Sequence, residues 1–488
     1  MVNRERKFGR LHFLIAVMIA VGLLLSTKLF FIQIIKGEKY RQTAERQNQQ
    51  SLNKIFDRGA IFFETKDGTL VSGATLEVGY ILAINPKQLV NPEAVYLKLN
   101  KIWPINQEFF IAKSKQRDDP YVEIAARLPA ATGLAIRKLG LSGVQVIEQH
   151  FRSYPGGTLA AHALGFMGYN NDDYGGRYGL EKQYDQVLRR ERTLSFTTFL
   201  SEILLGVSTS LGVGASSANL GDIVTTIEPD AQRFLENELD TVTTRWQTKA
   251  VGGIILDPKT GAIVAMAARP TFDPGKKQAS LSLLGNPLVE NVYEMGSIVK
   301  PLTLAAGLDA GVINEKTTYL DVGSMVIDGR IIRNYDGRAR GQIALQEVLN
   351  QSLNMGAVFV MQKLGHERLR EYFLNFGLGQ KTGVDLPGEA TGLTNNLNST
   401  RAVEYATAAF GQGIAMTPLN ITMALSSLAN GGQLVRPYVV KEQRYETGLS
   451  DETIPEIRQR VVKEETAQKI TAMLVRVVDE AIDGGRKR

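Results

Sequence analysis

In "VYEMGSIVKPLTLAAGLDAG", Ser297 precedes Lys300 by three residues, and Pro301 follows at once. Proline is accepted in a helix only in the first turn, where backbone N–H groups have no intrahelical partner, so the helix must begin near Gly296 or Ser297. Ser297 then sits at the positive end of the helix dipole, with Lys300 on the same face. A lysine partly buried there has a lowered pKa and can take the serine's proton, which makes a serine nucleophile with a lysine base. The bare spacing is a weak signal. Ser51-Leu52-Asn53-Lys54 repeats it, and a helix-capping serine beside a solvated lysine accounts for it equally well. Gly296 and Pro301 are what set residues 297–300 apart.

A second pattern is Ser352-Leu353-Asn354 in "LQEVLNQSLNMGAVFVMQKLG". Helical stretches flank it, so it falls at a bend from which both side chains can enter a cleft. Ser352 would pass on a proton and Asn354 would bind a substrate amide. Capping of the following helix by either residue is the competing reading, and Ser217-Ala218-Asn219 has the same spelling. A third spelling, Lys-Thr-Gly, occurs at Lys259-Thr260-Gly261 and at Lys381-Thr382-Gly383.

Composition excludes other chemistry. There is no cysteine, so disulfides, thiol nucleophiles and thiolate metal sites are ruled out. His12, His150, His162 and His366 are scattered without ligand spacing. A zinc site and a Ser-His-Asp triad are therefore not expected, and neither a metal nor a cofactor is called for. No dense array of basic and aromatic residues supports nucleic-acid binding. The net charge of +6 suits an anionic membrane or wall polymer, and equally a mildly basic surface without a partner.

The elements that must position these residues belong to a chain of 488 residues, long enough for two or three folded domains. Residues 1–10 carry Arg4, Arg6, Lys7 and Arg10 and precede an apolar run over 11–35. At about 1.5 Å per residue this run spans a hydrocarbon core with Lys28 snorkelling. No small-x-small site closes it, so an uncleaved anchor is expected, with the N-terminus cytoplasmic and the bulk of the chain exported. Residues 36–56 read as a polar helical stalk. Strands with Gly and Asp turns follow, then helical segments between about 90 and 140, among them "VEIAARLPAATGLAIRKLG". Residues 193–219 are rich in Ser, Thr, Gly and Leu and read as an inter-domain connection or a mobile excursion. From Gly221 the pattern is α/β: a strand and long helix, the hairpin "VGGIILDPKTGAIVAMAARP", then helices of which 342–364 and 416–430 are the most regular.

Order and context together resemble the class B penicillin-binding proteins, the membrane-anchored peptidoglycan transpeptidases of division and elongation. "DRGAIFFETKDGTLVS" is similar to the opening of the family's pedestal domain, and Arg152, Tyr154, Pro155, His162, Gly165, Gly179, Glu181 and Asp185 match pedestal motifs. "YEMGSIVKPLTLAAGLDAG", "NQSLNMGAVFVMQKLG", "FGLGQKTGVDLPGE" and "FGQGIAMTPLNITMALSSLANGG" follow in family order. The resemblance implies a pedestal over 36–218 and a transpeptidase domain of antiparallel sheet and helices over 219–488. It implies that Ser297, with Lys300 as base, attacks a D-Ala-D-Ala donor stem peptide, that Ser352 and Asn354 assist, and that a neighbouring stem's amine resolves the acyl-enzyme as a cross-link. β-Lactams would acylate the same serine, and a membrane glycosyltransferase and other division or elongation proteins are the expected partners, at a bacterial plasma membrane. His162 and the acidic pedestal residues are expected to be structural.

The family's own Lys-Thr/Ser-Gly lies on a cleft-edge strand after a helix matching "KEETAQKITAMLVRVVDEA", beyond which this sequence reads only "IDGGRKR". The expectation is a transpeptidase domain lacking its C-terminal strands and helix, and weak or no activity as written. Lys259-Thr260-Gly261 is expected to be a hairpin turn, and Lys381-Thr382-Gly383 a Gly-rich family loop, since Pro387 stands close behind it. A non-catalytic scaffold of the wall-synthesis machinery is the rival reading. A β-lactam-hydrolysing or sensing protein fits poorly with so large a pedestal.

Overall fold

The computed structural model describes residues 57–170, 173–190, 220–276 and 280–481, together with Met18, Ile19 and Leu23. The expected anchor, stalk and connection over 193–219 fall outside the described residues, apart from those three helical, exposed side chains. Among the described residues no helix is long and apolar enough to cross a membrane.

The described chain divides into two compact units, Val78–His150 and Asp57–Glu77 with Phe151 onward. In the first, the strand Leu70–Ile84 enters at Val78 and pairs antiparallel with Val122–Leu128, matching Tyr80 to Leu128 and Ile84 to Val122. Helices Pro92–Asn100, Gln107–Ser114 and Ala130–Lys138 cover it. Leu82, Ile84, Leu99, Phe110, Leu128 and Ile136 form its core. The expected helix over "VEIAARLPAATGLAIRKLG" is corrected in its first half. Val122, Ile124 and Leu128 are buried strand positions, and Pro129 separates that strand from the helix. Two-residue alternation of buried Val and Ile outweighs the helix propensity of the alanines and glutamate.

The second unit brings distant motif residues onto one carboxylate. Glu181 is fully buried and accepts from Arg58 Nε at 2.7 Å, Arg152 Nε at 2.6 Å and the Tyr154 hydroxyl at 3.1 Å. Burial works to raise the pKa of Glu181, but the guanidiniums of Arg152 and Arg58 outweigh it and hold the carboxyl below its ordinary value. The glycines of these motifs have a steric cause. A Cβ on Gly165 (φ +75°) would lie 1.8 Å from the Tyr178 carbonyl oxygen. His162 is buried with Nε2 3.2 Å from the Leu283 carbonyl, and burial pushes its pKa down to about 4, so it stays neutral.

Strand Gly221–Thr225 runs parallel to Ile61–Glu64 and antiparallel to Val440–Tyr445. Helix Pro229–Trp246 leads to the hairpin Val251–Leu256 and Ile263–Arg269. The largest core gathers helices Lys300–Asp309, Asn354–Leu364, Pro418–Ala429 and Glu464–Arg476 around Leu304, Val358, Met423 and Ile470. Its helices hold the site. The expected regular helix over 342–364 is corrected at its start, where Gly341–Ala344 is a strand; the helices Gln346–Asn350 and Asn354–Leu364 then flank the expected bend at Ser352.

Candidate active site

Gly296–Val299 forms one 3-10 turn, and the α-helix proper starts at Lys300 with Pro301 in its first turn. Side chains three apart eclipse one another in a 3-10 turn. The turn therefore stacks Ser297 and Lys300, with Nζ 3.1 Å from Oγ. The serine is exposed and the lysine is 1% exposed.

The turn is pinned from one side. Gly296 has φ +60°, and its N–H donates to the Gly411 carbonyl at 3.0 Å. Just before it, Tyr293 and Met416 exchange main-chain hydrogen bonds, both at 3.0 Å. Gly413 N–H donates to Glu294 Oε1 at 2.8 Å, and Thr303 Oγ1 donates to the Ala409 carbonyl at 2.7 Å. The nucleophile turn and the "FGQG" segment are thus fastened as one piece.

From the other side comes Ser352, 52 residues later in sequence. Its φ of +55° is in the left-handed region, which non-glycine residues seldom occupy. Both its oxygens reach Lys300: Nζ donates to the Ser352 carbonyl at 2.6 Å and lies 3.0 Å from its Oγ. Among the described residues no carboxylate pairs with Lys300, and burial alone lowers its pKa to about 8. A neutral amine has two protons to donate and one lone pair. With two of its three neighbouring oxygens belonging to Ser352, the lone pair can serve Ser297. Asn354 is nearby in sequence, but its Nδ2 donates to the Arg333 carbonyl at 2.9 Å. A cavity of about 380 Å³ opens beside Ser297, lined also by Ile298, Lys300, Ser352, Leu425, Leu428 and Leu474.

The penicillin-binding protein transpeptidase domain model matches residues 251–487, and the penicillin-binding protein dimerisation domain model matches 57–198. Stage V sporulation protein D of Bacillus subtilis is 31% identical over 481 residues, covering 96% of this chain and 73% of that protein. The chain is a class B penicillin-binding protein. The family's members are serine-type peptidoglycan D,D-transpeptidases of cell-wall synthesis and division, and this chain belongs with them. Penicillin-binding protein PbpB of Mycobacterium tuberculosis is 27% identical over 491 residues, covering 95% of this chain and 70% of that one. The probable peptidoglycan D,D-transpeptidase FtsI of Caulobacter vibrioides is 30% identical over 356 residues, covering 72% of this chain and 54% of that protein. In fold, the chain is similar to penicillin-binding protein 2X of Streptococcus thermophilus, with TM-score 0.68, 21% identity and coverage of 88% and 67%. It is also similar to penicillin-binding protein 3 of M. tuberculosis solved with aztreonam, with TM-score 0.63, 24% identity and coverage of 88% and 77%.

Within this penicillin-binding protein neither Lys-Thr-Gly triplet lies on a strand. Gly261 (φ +85°) closes the hairpin turn, and Asp257 accepts from Lys259 N–H at 3.0 Å and Thr260 Oγ1 at 2.8 Å. Lys381-Thr382-Gly383 is an irregular loop tied by Glu389, which accepts from Thr382 N–H and Oγ1 and from Gly383 N–H at 3.0 Å. Thr382 is fully buried while Lys381 is exposed. Spacing gave no sign of Asp321, Asn334 and Arg340, which surround the Ser352 turn. "NYDG" in "IIRNYDGRARG" reads as a turn, and nothing local links it to Asp321 or Met355.

Proposed function

We propose that Ser297 is the nucleophile of the transpeptidase, Lys300 its general base, Ser352 a proton relay and Asn354 a ligand for the substrate's peptide amide. Neutral Lys300 takes the Ser297 proton as Oγ bonds to the penultimate D-alanyl carbonyl carbon. The tetrahedral adduct collapses with cleavage of the C–N bond to the terminal D-alanine. Its nitrogen receives a proton from Lys300, passed through Ser352. An amine of a second stem peptide then attacks the ester, the C–Oγ bond breaks, and Ser297 regains its proton. A β-lactam would follow the same first half, with its ring C–N bond opening in place of release.

The observation that carries this reading is the buried Lys300, unpaired with any carboxylate among the described residues and held 3.1 Å from an exposed serine hydroxyl. Relatives solved with aztreonam and ampicillin support the β-lactam half. The apolar run over 11–35 supports a membrane anchor with the catalytic part outside the cytoplasm, beside a membrane glycosyltransferase that polymerises the glycan. The test is intact mass and peptide mapping of the full chain after benzylpenicillin. One adduct is expected, on Ser297, and none in Ser297→Ala. An adduct elsewhere, or labelling that survives the substitution, rejects the assignment.

A further inference from the structure

The helix Asn354–Leu364 begins without a cap from its own polar residues: Leu353 occupies the N-cap and makes no side-chain hydrogen bond. Its first N–H groups need acceptors, because no intrahelical carbonyl reaches them. Serine and asparagine beside a helix start ordinarily fill that role. Here Ser352 turns to Lys300, and Asn354 Nδ2 donates to the Arg333 carbonyl. The cap comes instead from a residue 21 positions upstream: Asn334 Oδ1 accepts from Met355 N–H at 3.1 Å.

Asn334 is itself fully buried and fixed in orientation. Its Nδ2 donates to Asp321 Oδ1 at 2.9 Å and Oδ2 at 3.0 Å, and Asp321 is 1% exposed. Only one setting of the amide serves both neighbours, since a carboxylate requires the NH2 and the Met355 N–H requires the oxygen. Asp321 is held in turn by Gly323 N–H at 3.1 Å. The same loop grips the turn again through Arg340, whose Nε donates to Gln351 Oε1 at 3.0 Å while both its Nη atoms, each at 2.9 Å, hold Asp336.

We propose that Asn334 and Asp321 are positioning residues of the acyl-transfer site. By capping the helix from outside, they release Ser352 and Asn354 from capping and fix the left-handed Ser352 that meets Lys300. The consequence for rate rests on the serine–lysine reading above, whereas the consequence for backbone protection does not.

The test uses three forms of the full chain: wild type, Asn334→Asp, and the reciprocal double variant Asp321→Asn with Asn334→Asp. The single change is isosteric and keeps an acceptor for Met355 N–H, but it sets two buried carboxylates against each other. The double variant restores one amide donor facing one carboxylate. The amide introduced at position 321 still offers an oxygen to Gly323 N–H, so that bond is kept. Two quantities are read: the first-order rate of acylation by a fluorescent penicillin, which does not depend on the folded fraction, and hydrogen exchange over residues 351–357. The single variant should acylate about tenfold to a hundredfold more slowly and lose protection in that segment. The double variant should recover both to within about threefold of wild type. A single variant with wild-type rate and protection, or a double variant no better than the single, overturns the proposal. If wild type takes no penicillin, the serine–lysine reading fails, and the exchange pattern still decides the role of Asn334 and Asp321.

Discussion

Lys300 and Ser352 meet through two bonds at once, Nζ to the Ser352 carbonyl at 2.6 Å and to its Oγ at 3.0 Å. The positive φ of Ser352 lets carbonyl and hydroxyl face the same amine. This pairing fixes where the lysine's lone pair can go, and with it the direction of proton transfer from Ser297.

Lys300 must be neutral to act as a base. Burial lowers its pKa to about 8, so acylation should rise with pH through that value and level off above it. Lys300→Arg keeps its proton and should acylate about a hundredfold to ten-thousandfold more slowly. The sign for stability follows from the same shift. The unfolded chain holds this proton more tightly, so the lysine's penalty on the fold is relieved as pH climbs from about 8 toward the ordinary 10.5. Penicillin acylation rates from about pH 6 to pH 9 check the first claim, and a flat profile contradicts it.

Gly411 should be intolerant of a methyl group for the sake of its neighbour. A Cβ there would stand 2.1 Å from the Gly296 carbonyl oxygen, and Gly411 itself has φ +79°. Gly411→Ala must push the nucleophile turn away, and a displacement near 1 Å lowers the acylation rate by about a hundredfold. Stopped-flow or gel-based labelling rates decide it; a wild-type rate would show that the pinning of Gly296 is immaterial.

Lys381→Ala should leave acylation within about twofold of wild type, as expected of an exposed surface substitution. The structural reason is that Glu389, not Lys381, holds this loop together. Removing the lysine's charge and losing more than tenfold in rate would assign Lys381-Thr382-Gly383 a place in catalysis.

Glu181→Gln should cost about 3–5 kcal/mol in denaturant unfolding, because it leaves Arg152 buried without its counter-charge and Arg58 with Asp185 as its remaining carboxylate partner. The carboxyl's pKa is held below its ordinary 4.5. Its contribution is therefore fully present above 4.5 and is lost as pH falls below that value through the folded-state pKa. An unfolding midpoint unchanged by the substitution would mean the triad contributes nothing to the fold.

The sequence by itself determined what one turn of backbone controls. Ser297 and Lys300 are three residues apart with Pro301 behind them, which calls for a helix start there and puts both side chains on one face. The structure adds that the first turn is 3-10 and that the α-helix begins at Lys300. The hairpin around Lys259-Thr260-Gly261 and the Gly-rich character of Lys381-Thr382-Gly383 were legible for the same reason, since turn chemistry is local. Two local helix readings failed, over Val122–Leu128 and at the start of 342–364, where packing chose strands, while the bend expected at Ser352 is present. Only the tertiary structure brought Ser352 to Lys300, joined Asn334 to Asp321 and Met355, and let Gly411 hold Gly296. Those pairs are separated by many residues, and no local propensity encodes them. They form because the helical core around Leu304 and Val358 fixes where each segment ends, and burial then leaves each polar group only the partner within reach.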